Sequence, residues 1–325
     1  MGKKFISELE PGHAFVSFFA VRRKEIKEHE GTPFLVVELG DRTGSVQAVI
    51  WENFREIEKG FAKGDVVKVK GTAVTYREQL EVHIDRIRKA EPGEYDVVDF
   101  LPEAERDRRA MYRRLLEKAR GVQNPYLRKV LEACFTDADL AQKLLEAPGG
   151  KKWHHVYLGG LLEHTLGVTA ICERAAEIYD LADRDLLVTG ALLHDIGKTE
   201  EYQWSTFFDF SDQGRLEGHV VLGEHMVRRK AEEIEGFPEE LLQRLSHMIL
   251  SHQGRREFGS PVIPMTLEAI ILYYADELDA KAGAFTKVIK QERGEGKIWS
   301  GWVHLIERFI YLGPDELSSS KEGEE

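Results

Sequence analysis

The stretch Ala191-Leu192-Leu193-His194-Asp195-Ile196-Gly197-Lys198 decides how the larger part of the chain is read. An apolar run carries it, which predicts a buried helix. Neutral imidazole and carboxylate are both good ligands for a divalent cation. Lys198 lies four residues after His194 and three after Asp195, so on a helix it shares their face. A single His-Asp pair says little, since such pairs are ordinarily solvated or capping. His164, His219, His252 and Asp276 stand in similarly apolar helical contexts. Together the six residues supply enough donors for a two-metal site.

The chain has 325 residues, 42% hydrophobic and 31% charged. That is ordinary for a soluble globular protein and enough for two domains. No apolar run reaches the roughly 18 residues of a membrane span. Met1 to Glu10 has two lysines but no apolar stretch, so no signal peptide is expected. The two cysteines, Cys134 and Cys172, fall in helical patterns and read as reduced core thiols. A cytoplasmic protein without membrane attachment is expected. The net charge is -12, but it is divided unevenly. Residues 1–90 hold 16 Lys/Arg against 14 Asp/Glu, a net of +2; residues 91–325 hold 29 against 43, a net of -14. Global charge therefore does not exclude a nucleic-acid partner, and an acidic second half is what a cation-binding carboxylate site produces.

Residues 13–90 read as five short strands with a helix after the third. The strands are His13–Val21, Thr32–Leu39, Ser45–Trp51, Val66–Tyr76 and Gln79–Ile84, and the helical piece runs from Asn53 to Phe61. The Arg22-Arg23-Lys24 run is expected in a loop, and Arg77-Glu78 at the turn of a hairpin. This layout is that of an OB-fold barrel. The phrases Asp41-x-Thr43-Gly44, Ala48-x-x-Trp51 and Gly64-Asp65-x-Val67-x-Val69-x-Gly71 resemble nucleic-acid-binding OB domains of the tRNA-anticodon type. Such domains stack bases on aromatic side chains over a basic groove. Candidates here are Phe18, Phe34, Trp51 and Tyr76, with Arg22, Arg23, Lys24, Arg42, Lys68 and Arg77. Aromatics at alternating strand positions are also the usual filling of a barrel core.

The expected architecture is a multidomain β plus all-α chain. Residues 1–92 form the OB barrel and 93–124 a connector, whose helix from Glu103 to Arg120 has a narrow apolar stripe and suits a link between domains. Residues 125–313 form a helical domain, and 314–325 an acidic disordered tail. The order His164, His194-Asp195, His219, His252, Asp276 resembles the ligand order of the HD phosphohydrolase superfamily. The resemblance implies that His164, His194, Asp195 and Asp276 hold one ion, and that His219 and His252 add a second, bridged by Asp195. Two ions about 3.5–4 Å apart activate a water and neutralise a phosphoryl group. Manganese is the expected ion, with Fe²⁺, Co²⁺ or Mg²⁺ as alternatives. Asp195 and Lys198 are the catalytic candidates, Lys198 as holder of a phosphate oxygen. His225 and His247 rival His219 and His252, and Asp279, one turn from Asp276, can replace it. His154, His155 and Arg255 are candidate substrate contacts.

The phrases His154-His155-x-Tyr157-x-Gly159-Gly160-Leu161-Leu162-Glu163-His164-Thr165, Gly218-His219, Leu250-Ser251-His252-x-Gly254-x-x-Glu257-x-Gly259-Ser260-Pro261 and Asp276-x-Leu278-Asp279-Ala280-Lys281 are similar to those of the YhaM-type 3′-to-5′ exoribonucleases, which share the OB-then-HD order. Gln253 and Tyr273 depart from the family pattern, where a histidine is common at each; neither is among the six ligands, so only their surroundings are in question. The resemblance implies removal of nucleotides from the 3′ end of single-stranded RNA, with short DNA as a second substrate; a homo-oligomer is compatible with it. Two other readings stay open. One is an HD phosphohydrolase of a small nucleotide with a regulatory OB domain. The other is a non-catalytic nucleic-acid-binding regulator.

Overall fold

A computed structural model describes residues 3–29, 31–76, 79–96, 99–150, 155–294, 297–304 and 306–314. Arg77 and His154, two of the expected substrate contacts, lie outside the described residues, as does the acidic end from 315 onward. The chain forms two units: 1–103 with 203–209, and 104–202 with 210–325.

In the first unit, alternating apolar positions build strands whose inward faces make one core. The strands are β1 (Ala14–His29), β2 (Thr32–Asp41), β3 (Gly44–Ile50), β4 (Val66–Tyr76) and β5 (Gln79–Lys89), with the short helix α1 (Phe54–Ile57) between β3 and β4. They close into a barrel in the order β1-β2-β3-β5-β4. The β3–β5 pair is parallel and the other pairs antiparallel. Phe19, Leu35, Val37, Leu39, Val67 and Val69 fill the centre. This is the five-stranded OB barrel that the sequence pattern indicates.

One detail differs from expectation. Arg22-Arg23-Lys24 is not a loop but part of β1, which runs on to His29. The first half of β1 pairs with β4 and the second half with β2, with a register shift between Val21 and Arg23. That bulge bends one long strand between two neighbours, as a closed barrel requires. Arg22 passes over Gly40, where any Cβ would meet its Nε at 1.9 Å, and donates to the Asp41 carbonyl at 2.8 Å. Burial lowers its pKa. Lys24 Nζ donates to the carbonyls of Glu58 and Phe61 at 2.7 and 2.8 Å. Two of the three cations therefore fasten the barrel itself.

The second unit is helical: α2 (Arg108–Arg120), α3 (Pro125–Phe135), α4 (Ala138–Glu146), α5 (Gly160–Ile178), α6 (Arg184–Leu193), α7 (Lys198–Glu201), α8 (Asp212–Glu217), α9 (His219–Glu232), α10 (Glu239–Ser251) and α11 (Leu267–Glu292). The short strands β6 (Tyr202–Trp204) and β7 (Phe208–Phe210) follow α7 in sequence, and residues 203–209 of this stretch belong to the first unit. Side chains of Asp107, Asn124, Asp137, Asp183, Ser211 and Thr266 accept hydrogen bonds from free N–H groups at six helix starts. α6 is buried on all sides from Leu186 to Leu193 and forms the centre of this unit. α2, expected as a link, buries Met111, Leu115 and Ala119 and packs on α5 and α3.

The deciding stretch is not one continuous helix. α6 stops at Leu193, and residues His194 to Gly197 form a turn before α7. The bonds Ile196 N to Leu193 O and Lys198 N to Asp195 O are of the tight i to i−3 kind. The cause is a backbone crossing: a Cβ on Gly197 would meet the His219 carbonyl at 2.0 Å and Gly223 N at 2.5 Å. α9 can therefore approach the turn only where side chains are missing. Gly197→Ala should destabilise the protein by about 1–3 kcal/mol, the usual cost of overpacking. Thermal unfolding checks this, and a melting temperature equal to wild type would contradict the crossing.

Candidate metal centre

Five elements deliver the six ligand candidates. α5 supplies His164, the turn after α6 supplies His194 and Asp195, and His219 is the first residue of α9. His252 follows the last residue of α10, and Asp276 lies within α11. Four imidazoles converge on the Asp195 carboxylate through their Nε2 atoms. His164 and His194 lie 3.4 and 3.5 Å from Oδ2. His219 and His252 lie 3.4 and 3.3 Å from Oδ1. Each carboxylate oxygen thus faces its own histidine pair. Asp276 Oδ1 joins the first group, 3.1 Å from His164 Nε2. His164, His194 and Asp195 form one set of closely spaced donors, and Asp195, His219 and His252 another.

The opposite ring nitrogens are all engaged. His164 Nδ1 faces Asp279 Oδ2 at 2.7 Å, and His219 Nδ1 faces Glu201 Oε1 at 2.9 Å. His194 and His252 place Nδ1 against the carbonyls of Ala191 and Ile249, at 2.8 and 2.7 Å. In a neutral ring, an Nδ1 facing an acceptor carries the proton, which leaves Nε2 with a free lone pair for a metal. Four such arrangements around one carboxylate are the usual support of a metal site.

The electrostatics ask for a cation. Asp195, His164, His194 and His252 are almost wholly buried. Neither Asp195 oxygen makes a hydrogen bond, although Lys198 Nζ lies 2.5 Å from Oδ2. Burial opposes ionisation of Asp195, but Lys198 and His194 outweigh it and hold its pKa well below the carboxylate range. Burial likewise opposes protonation of His164, yet Asp195, Asp276 and Asp279 raise its pKa well above that of free imidazole. Asp276 is lowered to about 2, where His164 overcomes the effect of burial. Without a cation the acids draw a proton onto His164; a buried carboxylate faced by four Nε2 atoms, with each Nδ1 held by an acceptor, suits divalent ions of the first transition row in that proton's place. The residues present therefore fit the metal that the sequence implies.

Lys198 is buried; Nζ also donates to the Gly149 carbonyl at 2.8 Å. His155 sits behind the first donor set, with Nε2 3.2 Å from Asp279 Oδ2 and Nδ1 2.7 Å from the Tyr157 hydroxyl. Of the rivals, His225 is exposed, and His247 Nε2 accepts from Met265 N at 2.9 Å, fixing the approach to α11. Asp279 stands on the Nδ1 side of His164 and Asp276 on its Nε2 side, so the two aspartates have different partners. The amide of Gln253 lies 3.0 Å from His252 Nε2 and 3.4 Å from His219 Nε2, on the ligand side of these rings rather than behind them. Tyr273 is packed over Gly254, where any Cβ would strike its ring at 2.1 Å. Arg255 is exposed, 3.5 Å from Glu257.

On the barrel, Phe34 and Trp51 stack with ring centroids 4.3 Å apart and an interplanar angle of 18°. Trp51 is 45% exposed and Tyr76 52%. Arg42 lies over the Phe5 ring, and Lys68 over Phe18. The sequence pattern gives no role to Glu201 and offers Asp279 only as a ligand. Glu201 also accepts from the His219 backbone N–H at 3.0 Å. Its signal was a buried acid one turn beyond the His-Asp turn; only the fold shows what it faces.

Paired histidine–aspartate donor sets in a helical unit, in a chain that also carries an OB barrel, define an HD-type phosphohydrolase site combined with a nucleic-acid-binding domain type. Family models agree: residues 161–281 match the HD domain, and residues 20–90 the OB-fold nucleic acid binding domain. The chain is 33% identical over 262 residues to the 3′-5′ exoribonuclease YhaM of Geobacillus sp. (strain WCH70), covering 80% of each protein. At that identity and coverage, it belongs to the YhaM exoribonuclease family. Among solved structures, the second OB-fold domain of replication protein A from Methanococcus maripaludis is 26% identical, covering 29% of this chain and all of that one, with a TM-score of 0.24. The replication factor A related protein from Methanobacterium thermoautotrophicum is 22% identical, covering 29% and 96%, with a TM-score of 0.25.

If Asp279 and Glu201 orient His164 and His219, Asp279→Asn and Glu201→Gln should each weaken Mn²⁺ binding about 10–100-fold. Titration calorimetry on metal-stripped protein measures this. Wild-type affinity in both variants would contradict the orienting role.

Proposed function

We propose that the chain is a metal-dependent 3′-to-5′ exoribonuclease acting on single-stranded RNA, with short single-stranded DNA as a second substrate. The observation that carries this reading is the division of the Asp195 carboxylate between two histidine pairs, Oδ2 with His164 and His194, and Oδ1 with His219 and His252. His164, His194, Asp195 and Asp276 hold one ion on this reading, and Asp195, His219 and His252 the other; manganese suits both. Divalent ions bound there would activate water and neutralise phosphoryl charge. Asp279 and Glu201 fix the imidazole tautomers. Lys198 holds Asp195 against the Gly149 carbonyl and keeps a further proton for a phosphoryl oxygen. His155, part-buried beside Asp279, contacts the substrate. The stacked pair Phe34–Trp51 offers its exposed face to a base, and Tyr76 and Arg42 extend that surface. The cytoplasm is the compartment that fits an RNA substrate and two unpaired, buried cysteines, whose thiol pKa values burial pushes up to about 12.

A gel time course on 5′-labelled RNA with Mn²⁺ tests the reaction. We expect a ladder shortening from the 3′ end in wild type and no cleavage in Asp195→Ala. Release of label as mononucleotide in the first time points would reverse the polarity, and unchanged cleavage in Asp195→Ala would overturn the site. Trp51→Ala should weaken binding of single-stranded RNA by about 1–3 kcal/mol, the usual contribution of one stacked base. Fluorescence anisotropy at fixed salt measures this; an unchanged Kd would remove Trp51 from the binding surface.

A further inference from the structure

A groove of about 620 Å³ runs in the helical unit between α2, α5 and α11. Its inner end is formed by His155 and Asp279, the pair that backs His164. Met111 and Leu166 give it an apolar wall, and Arg106 and Arg114 stand on its α2 side. The volume falls in the ordinary range of small-ligand sites. Its acids are committed elsewhere: Asp279 to the two histidines, Glu163 to the Tyr157 hydroxyl at 2.8 Å and to Arg106 at 3.6 Å, and Asp107 to the start of α2.

The charge of α2 is the second observation. Residues 106–120 carry seven Lys/Arg against two Asp/Glu, within a half of the chain whose net charge is -14. Arg114 lines the groove, and Arg109 and Arg113 lie on α2 outside its lining; all three are exposed and, among the described residues, none of the three guanidiniums has an acidic partner. An unneutralised row of guanidiniums in an acidic surround is suited to phosphate groups, and an apolar wall with small residues opposite is suited to a base.

We propose that this groove is a binding track for single-stranded RNA on the helical unit, additional to the barrel: phosphates lie along Arg109, Arg113 and Arg114, and a base enters against Met111 and Leu166. The proposal rests on the nuclease reading for the identity of the polyanion. The helix that the sequence marks as a charged connector thereby becomes part of substrate recognition. An acidic protein partner would not need the apolar wall at the inner end.

The test uses the full chain and a 5′-fluorescein 15-nucleotide RNA in EDTA, so that binding is read without cleavage. R109Q/R113Q/R114Q is compared with wild type and with R109K/R113K/R114K across a salt series. The glutamine variant should bind about tenfold more weakly at physiological salt, and its log–log salt slope should fall by about two, since each phosphate contact on a single strand contributes about 0.7. The lysine variant should keep the slope. In Mn²⁺, KM for RNA should rise in the glutamine variant while turnover of a small chromogenic phosphodiester stays unchanged. Equal Kd and equal slope in wild type and the glutamine variant would overturn the track. Loss of slope in a protein whose wild type binds RNA but never shortens it would keep the track and reject the exonuclease reading instead.

Discussion

The constraint on which the helical unit depends is the burial of one carboxylate between four imidazoles. Among the described residues neither Asp195 oxygen completes a hydrogen bond, and Lys198 Nζ lies 2.5 Å from Oδ2. Isolated, such a carboxylate would be too costly to bury. The surrounding fold holds it there through backbone geometry. The end of α6, the tight turn and the glycine crossing at Gly197 place Asp195 and His219 on facing elements. The same few residues then receive His164 from α5 and His252 from the end of α10. The acids behind the rings, Asp279 and Glu201, and the carbonyls of Ala191 and Ile249 decide which nitrogen each ring presents.

Charge is organised locally rather than globally. An acidic chain keeps a barrel whose sequence is slightly basic and a helix, α2, that is strongly so. In the barrel several cations are structural: Arg22 and Lys24 donate to carbonyls, and Lys68 covers Phe18. The exposed Trp51 on its Phe34 neighbour, by contrast, leaves apolar area in water that a base can cover. Counting basic residues would not separate these two groups; their partners do.

Much of this was legible in the residues. Period-two alternation gave the five strands, and the apolar stretches around each ligand candidate gave the helices, because both patterns report directly which face is buried. What escaped depends on contacts distant in sequence. The bulge at Val21–Arg23 arises because β1 serves two neighbours, so a basic run that reads as a loop stays in the strand. The break of the helix at Leu193 follows from α9 crossing Gly197, and nothing within the stretch itself reveals that neighbour. Asp279 has the spacing of a metal ligand, and only the ring orientation of His164 shows that it stands on the other side. Gln253, adjacent to a ligand candidate in sequence, points toward the Nε2 atoms of His252 and His219, which the sequence alone does not show.

The central claim is that Asp195 is shared by two donor sets and so couples two ions. Electron paramagnetic resonance of the Mn²⁺-loaded protein, with metal content determined on the same sample, tests it most directly. The account predicts two manganese per chain and a spin-coupled signal that Asp195→Asn converts to that of isolated ions or abolishes. One manganese per chain at saturation, or a coupled signal that survives in Asp195→Asn, would contradict it.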